Sequence, residues 1–297
     1  MALPLQHLGL VGYGEVGRIF SAGLRGHFQS CAAWDLKFAD PATGAAAQAT
    51  AAGVQAMPSM AALCAQNDFI ISAVTASNTL AVAQAAAPHL RPSTVFLDLN
   101  SASPGTKQQA AQVIEAAGGC YVDAGVMTSV PPYGIQVPML LGGPLAAELA
   151  DHLNALGMAA KAVAAEIGVA SAIKMCRSVM IKGLEALVIE SYATARAYGV
   201  EAHVLPTLSE TFPSIDWEAQ GAYFFSRVVQ HGQRRAEEMR ESARTVAEAG
   251  FAPTMASAIA DKQQAVADLA RAGAFAHVGQ GAPWQVYADA LLAARKD

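Results

Sequence analysis

Charged residues are sparse in this sequence, at 14% of the chain, and basic ones gather nowhere: 19 Lys+Arg stand against 24 Asp+Glu, a formal net charge of -5. Without a basic run to follow a phosphate backbone, nucleic acid is not an expected partner. Cysteine is scarce as well. Cys31, Cys64, Cys120 and Cys176 are scattered, with no CxxC pair and no histidine at metal-ligand spacing. That argues against disulfides and any metal site, and suits reduced thiols in a cytoplasmic protein. The opening MALPLQHLGLVG has no basic segment ahead of its apolar run, so no signal peptide is expected. Long unbroken apolar spans are missing too. A mean hydropathy of +0.29 directs attention to residues 70–90 and 124–145, which lack Asp, Glu, Lys and Arg. Polar side chains and Pro88 interrupt the first and prolines and glycines the second, so neither reads as a membrane helix.

What is present begins at residue 7. The apolar run HLGLVG leads into Gly12-Tyr13-Gly14-Glu15-Val16-Gly17 and then into helix-like GRIFSAGLRGHF. Strand, glycine turn and helix in that order suit a dinucleotide. Gly12 permits a tight turn, Gly14 lets backbone approach a pyrophosphate, and Gly17 lets the helix pack closely while its N-terminus offers N–H donors. The next apolar run, SCAAWD, ends at Asp35, 18 positions beyond Gly17, where an acidic residue meets the adenosine ribose hydroxyls. NAD is therefore preferred, with NADP as an alternative because Lys37 stands ready for a 2′-phosphate.

Alternation then continues. Helix-like stretches at 43–52, 59–66, 78–87 and 104–117 are interleaved with strand-like DFIISAVTAS, TVFLDLNS, CYVDAGVM and QVPMLLGG. The pattern implies an α/β domain over residues 1–165, a Rossmann-type doubly wound and largely parallel sheet. From 166 to 297 the sequence reads as helix after helix, an all-α domain opened by one long segment at 168–199. At 297 residues, two domains of ordinary size are expected. Ligands of such sheets collect beyond the carboxyl ends of the strands. Three loops leave there: Val74 to Asn78, Asp98 to Pro104, and Asp123 to Ser129. Ser103 before Pro104 is a helix cap, which leaves Asn100 and Ser101 available to a ligand. Lys174 lies among apolar neighbours in the long segment, either as a buried functional lysine or as one that reaches the surface.

Taken together, GYGEVG, DLNSASP, DAGVMTS and GVASAIK, in that order and at these intervals, resemble the motifs of the β-hydroxyacid dehydrogenase superfamily, which includes 3-hydroxyisobutyrate and 6-phosphogluconate dehydrogenases. The resemblance implies a nicotinamide enzyme acting on a small-molecule substrate, a hydroxy acid or polyol derivative, with Lys174 as acid/base and Ser178 beside it. It implies cofactor contacts from the glycine turn, Asp35, Val74, Thr75, Asn78 and Asn100. Substrate contacts fall to Asn100, Ser101, Met127, Thr128, Ser129, Lys174 and Ser178, and a homodimer is implied. The departures bear on substrate. Met127-Thr128-Ser129 stands where the family has Ser-Gly-Gly, Ala170 replaces a glycine, Ser178 replaces an asparagine, and Ile181 replaces the acid of 6-phosphogluconate dehydrogenase. Simple oxidation or reduction is thus expected in place of oxidative decarboxylation. An imine reductase on the same scaffold, which usually lacks the lysine, and a non-catalytic NAD(P)-binding regulator are the alternatives. Near the C-terminal end, QRRAEEMRESAR reads as a solvated face, with His231, Arg234, Arg235 and Arg240 as candidates for an anion clamp.

Overall fold

Strand β1 (His7–Val11) sits inside the sheet and is flanked on both sides. In a computed structural model that describes residues 5–294, it pairs in parallel with β2 (Ser30–Trp34) and with β4 (Phe69–Ser72). Burial on both faces explains why its sequence is unbroken by charged or polar side chains from Leu8 to Val11 instead of alternating. The period of two still shows in where each side chain goes. Phe69, Ile71, Leu97 and Val122 join the core on one face, while Ile70, Phe96 and Tyr121 join the core on the other.

The sheet has eight strands in the order β3-β2-β1-β4-β5-β6-β7-β8. Besides those named, they are β3 (Gln55–Ala56), β5 (Val95–Asp98), β6 (Cys120–Val126), β7 (Pro138–Gly142) and β8 (Ala159–Ala164). Helices α1 (Glu15–Leu24), α2 (Ala45–Ala51), α3 (Met60–Gln66), α4 (Thr79–Ala86) and α5 (Pro104–Ala116) make the crossovers. β7 runs antiparallel to β6 and parallel to β8. Beyond the elements read from the sequence, helix α6 (Ala146–Ala155) follows β7 and leads to β8 at the edge of the sheet. The doubly wound Rossmann-type architecture is the one expected.

Register places the functional edge. Val11 pairs with Ser72, Ser72 with Asp98, and Asp98 with Asp123, so the carboxyl ends of β1, β4, β5 and the matching level of β6 lie in one row. The loops after that row all leave from the same edge. The order also reverses between β1 and β4, the crevice where ligands of such sheets bind.

Helix α7 (Val169–Tyr198) is 30 residues long, and the chain divides into two compact units within it, between Met175 and Cys176. Its first turns belong with the sheet for a physical reason. A Cβ on Gly125 of β6 would stand 2.9 Å from Ala170 O, so helix backbone rests directly on the strand. The second unit is helical: α8 (Glu201–Thr211), α9 (Trp217–Glu248), α10 (Thr254–Arg271) and α11 (Trp284–Ala293) follow. Its core gathers Tyr192, Trp217, Phe225, Trp284 and Tyr287. Among the described residues, no helix is long and apolar enough to cross a membrane, and no cluster of His, Cys, Asp or Glu is placed to hold a metal ion.

Candidate active site

The glycine turn is fixed by close backbone contacts. Gly12 has φ +91°, and a Cβ there would stand 2.4 Å from Ala73 O; one on Gly17 would stand 2.1 Å from Gly12 O. Only glycine fits either position. Gly14 differs: a Cβ there would meet nothing within 4 Å, and no side chain caps the N-terminus of α1 that it opens. An open approach to uncapped helix N–H groups fits a pyrophosphate. Glu15 and Val16 begin α1, and the Tyr13 ring is buried against Phe38. Asp35, at the end of β2, accepts the Tyr13 N–H at 2.7 Å and the Lys37 N–H at 2.9 Å. This carboxylate therefore braces the glycine turn, and each oxygen keeps a further lone pair for a donor such as a ribose hydroxyl.

Asn100 braces a second loop. It is 3% exposed; its Oδ1 accepts the Val74 N–H at 2.7 Å and its Nδ2 donates to Ser72 Oγ at 2.9 Å. Its own N–H donates to Asp98 Oδ1 at 2.8 Å. The amide thus ties the loop after β4 to the loop after β5, with one amide hydrogen left over. Thr75 and Asn78 are exposed on the first of these loops and bonded to each other, Asn78 Nδ2 to Thr75 Oγ1, at 2.7 Å.

Next in the chain, Ser101 Oγ accepts a hydrogen bond from Lys174 Nζ at 2.6 Å. Two anchors bring these residues together. Asp98 holds the backbone of the Asn100-Ser101 loop, as above. Asp123, wholly buried on β6, accepts both the Ser171 N–H at 3.0 Å and the Ser171 hydroxyl at 2.6 Å. A carboxylate on N–H groups of the first helical turn also complements the helix dipole, and it sets the start of α7 one turn ahead of Lys174. Apolar surroundings are only partial at this point: Ala170 and Met175 are buried, while Ile173 and Ile181 are 40% and 38% exposed.

Beneath both anchors lies a network with no signature in any one segment. Lys107 of α5 is 0% exposed, donates to Asp98 O at 2.8 Å, and pairs with Asp98 at 3.1 Å and Asp123 at 3.4 Å. Tyr121 donates its hydroxyl to Asp98 Oδ2 at 2.5 Å. Burial first, then the charges of Asp98 and Asp123, push its phenol well above the ordinary tyrosine value, so it stays a donor.

The remaining expected residues are more open. Met127 donates its N–H to Pro138 O at 2.9 Å. Thr128 is exposed and Ser129 half-buried, and no hydrogen bond ties either side chain to another described residue. Ser178 falls in the second unit, where it receives a hydrogen bond from Lys182 Nζ at 3.2 Å; Lys182 also pairs with Glu238 at 3.0 Å. The solvated reading of QRRAEEMRESAR is corrected in part. Arg235 and Glu241 are 8% and 6% exposed. Arg235 grips buried Glu185 with two nitrogens, so its charge is already matched and does not form a clamp. Arg240 bonds Gln264.

Fold and glycine turn together define a nicotinamide-dinucleotide-binding protein of dehydrogenase type. Residues 7–168 match the family of the NAD-binding domain of 6-phosphogluconate dehydrogenase, and residues 195–266 match a domain of unknown function, DUF1932. The chain belongs to that NAD-binding family, within the β-hydroxyacid dehydrogenase superfamily. A conserved hypothetical protein from Sinorhizobium meliloti 1021 is 38% identical, with TM-score 0.77 over 96% of this chain and 95% of its own. A conserved protein of unknown function, described as structurally similar to 3-hydroxyacid dehydrogenases, is 31% identical, with TM-score 0.70 over 90% and 98%. The 3-hydroxyisobutyrate dehydrogenase of Mycobacterium tuberculosis, solved with L-serine, has TM-score 0.69 over 97% and 99% at 19% identity, a likeness of fold.

Proposed function

We propose that this protein is an NAD(P)-dependent oxidoreductase that interconverts a small hydroxy acid, or a related polyol derivative, and its carbonyl form. Lys174 is the general acid/base. The observation that carries this reading is the Lys174–Ser101 hydrogen bond at 2.6 Å, formed at the sheet edge from which the glycine turn also springs.

In the oxidative direction the neutral Lys174 amine takes the proton of the substrate hydroxyl, and in the reductive direction its ammonium returns a proton to the carbonyl oxygen. Ser101 orients the amine and shares the substrate oxygen. Asn100 holds that loop in place. The Thr128 and Ser129 hydroxyls meet the substrate's polar groups beside Met127, and Ser178, one helical turn beyond Lys174, contacts substrate from the same helix face. A bound nicotinamide supplies the hydride acceptor or donor. Backbone from Gly12 to Gly17 takes the pyrophosphate, Asp35 the ribose, and Val74, Thr75, Asn78 and Asn100 complete the cofactor contacts. NAD is preferred, since the Asp35 carboxylate stands at the end of β2 beside the glycine turn, with NADP as the alternative because exposed Lys37 is open to a 2′-phosphate.

Residues 1–165 act as the dinucleotide domain and 166–297 as the substrate and dimerisation domain. A homodimer is supported by apolar side chains left open on the helical unit, Met180 at 66%, Leu187 at 57% and Tyr223 at 53% exposed. A cytoplasmic setting is supported by cysteines that are all unbridged.

The test is a panel of hydroxy and polyhydroxy acids offered with NAD and with NADP, with imines included in the reductive direction. Turnover of a hydroxy acid with NAD supports the reading. NADH binding with no turnover of any acid or imine would make the protein a regulator.

A further inference from the structure

Ser178 and Lys182 stand one turn apart on α7, within the second unit, and each has a donor that the fold does not use. Lys182 Nζ donates to Ser178 Oγ at 3.2 Å and pairs with Glu238 at 3.0 Å. An ammonium carries three N–H donors, and the third has no acceptor among the described residues. The Ser178 hydroxyl is in the same state. Its oxygen faces the ammonium, which turns the O–H away from the positive charge, and no described residue accepts that hydrogen. Other helical hydroxyls of this unit bond the carbonyl four residues back, as Ser209, Ser242 and Thr245 do. Ser178 does not. Buried donors without acceptors are costly, and here two lie on neighbouring atoms. Neither residue is sealed, since Ser178 is 7% exposed and the Lys182 side chain 8%.

The surrounding charges favour an anion. Glu238 divides its carboxylate between Lys182 on Oε2 and Arg234, 3.9 Å from Oε1, so one carboxylate faces two cations. Glu185, three residues beyond Lys182, is gripped by Arg235 and accepts Gln263 Nε2 at 3.2 Å. Its charge is matched there and does not neutralise the Lys182 ammonium.

From this geometry we infer that Lys182 is a specificity-determining residue, which together with Ser178 holds the carboxylate of the substrate acid. One carboxylate oxygen accepts the Ser178 O–H and the other accepts the third Lys182 N–H, from donor atoms 3.2 Å apart. Glu238 is a positioning residue that keeps the ammonium against Ser178. A primary amide in the same place offers one oxygen acceptor and sets its own N–H groups against a donor, and a substrate ammonium is repelled. The inference rests on the reading of the protein as a hydroxy-acid oxidoreductase with Ser178 at the substrate.

The experiment takes the best acid of the panel and its primary amide, with full-length protein and saturating cofactor, and follows the amide as substrate or as competing ligand. Wild type should bind the amide about tenfold or more weakly than the acid. Lys182→Met should raise KM for the acid about tenfold or more and move the amide far less, so that the preference for the acid collapses. A purely structural defect would weaken both together. Ser178→Ala, which loses one O–H, should lower the preference in the same direction. Glu238→Gln breaks the same ion pair but keeps the ammonium, and should lower the preference less than Lys182→Met does. Equal affinity for acid and amide in wild type, or an unchanged preference in folded Lys182→Met, would overturn the assignment. Should Lys182→Met fail to fold, the wild-type comparison and Ser178→Ala decide it. No turnover of any acid by wild type is a separate result, which removes the oxidoreductase reading and this inference with it.

Discussion

Lys174 Nζ and Ser101 Oγ, 73 residues apart in sequence, meet at 2.6 Å. The meeting rests on two buried carboxylates rather than on the two residues themselves: Asp98 fixes the backbone on the Ser101 side, and Asp123 fixes the helix turn on the Lys174 side. Lys107 bridges those carboxylates. An amine held in this way has little orientation freedom left to lose.

Gly14→Ala separates cofactor binding from folding. A Cβ there meets nothing in the protein, so the thermal midpoint should stay within about 2 °C of wild type. The same methyl occupies the approach to the helix N-terminus, and NADH affinity measured by fluorescence titration should fall by about tenfold or more. Unchanged affinity would remove the glycine turn from the cofactor site.

Asp35→Ala should weaken NAD more than NADP in the same titration, because the carboxylate favours ribose hydroxyls and opposes a 2′-phosphate. Both affinities should drop somewhat, since the Tyr13 N–H loses its acceptor. Two unchanged affinities would exclude Asp35 as the ribose partner.

Lys107→Met leaves Asp98 and Asp123 buried without their cation. Urea unfolding should show a loss of about 3–5 kcal/mol. A loss below about 1 kcal/mol would mean that the network carries little weight in holding the Ser101 and Lys174 segments.

Stability should also fall at alkaline pH. Burial first raises the Cys31 thiol to about 11, against which Arg25 acts, and burial alone raises Cys64 to about 12, both from 9.0. Folded values above the unfolded ones mean that this contribution is complete below pH 9.0 and is lost as pH rises toward about 11. The urea midpoint should decline across that window, and less steeply in Cys64→Ala. A midpoint flat across the window would contradict the burial of these thiols.

Much of the sheet is legible in the sequence because its signals are local: HLGLVG before glycines, FIIS and VFLD before turns, Ser103 ahead of Pro104 as a cap. The antiparallel turn of β7 is not, since direction depends on which strand a segment joins and not on its own composition. Helix α6 was concealed by its short Ala-rich stretch and β8 by a weak alternation, AAKAVA. At the site, Lys174 and Ser101 are visible as residue types at motif positions, but their contact is not. Asn100 reads as a free donor and proves largely occupied, because its partners Ser72 and Val74 lie 28 and 26 residues away. Lys107 and Tyr121 escape notice for the same reason: each looks like an ordinary residue of its own helix or strand until its distant carboxylate is placed, and Arg235, read as a candidate for an anion clamp, is instead taken up by Glu185, 50 residues away.

The most direct measurement is steady-state turnover of Lys174→Met beside wild type on the best substrate of the panel, with NADH affinity measured on both. Removing only the proton-transfer group should lower kcat by roughly 10²-fold or more and leave NADH binding unchanged. A near-normal kcat with intact cofactor binding would contradict Lys174 as the acid/base, and with it the central claim.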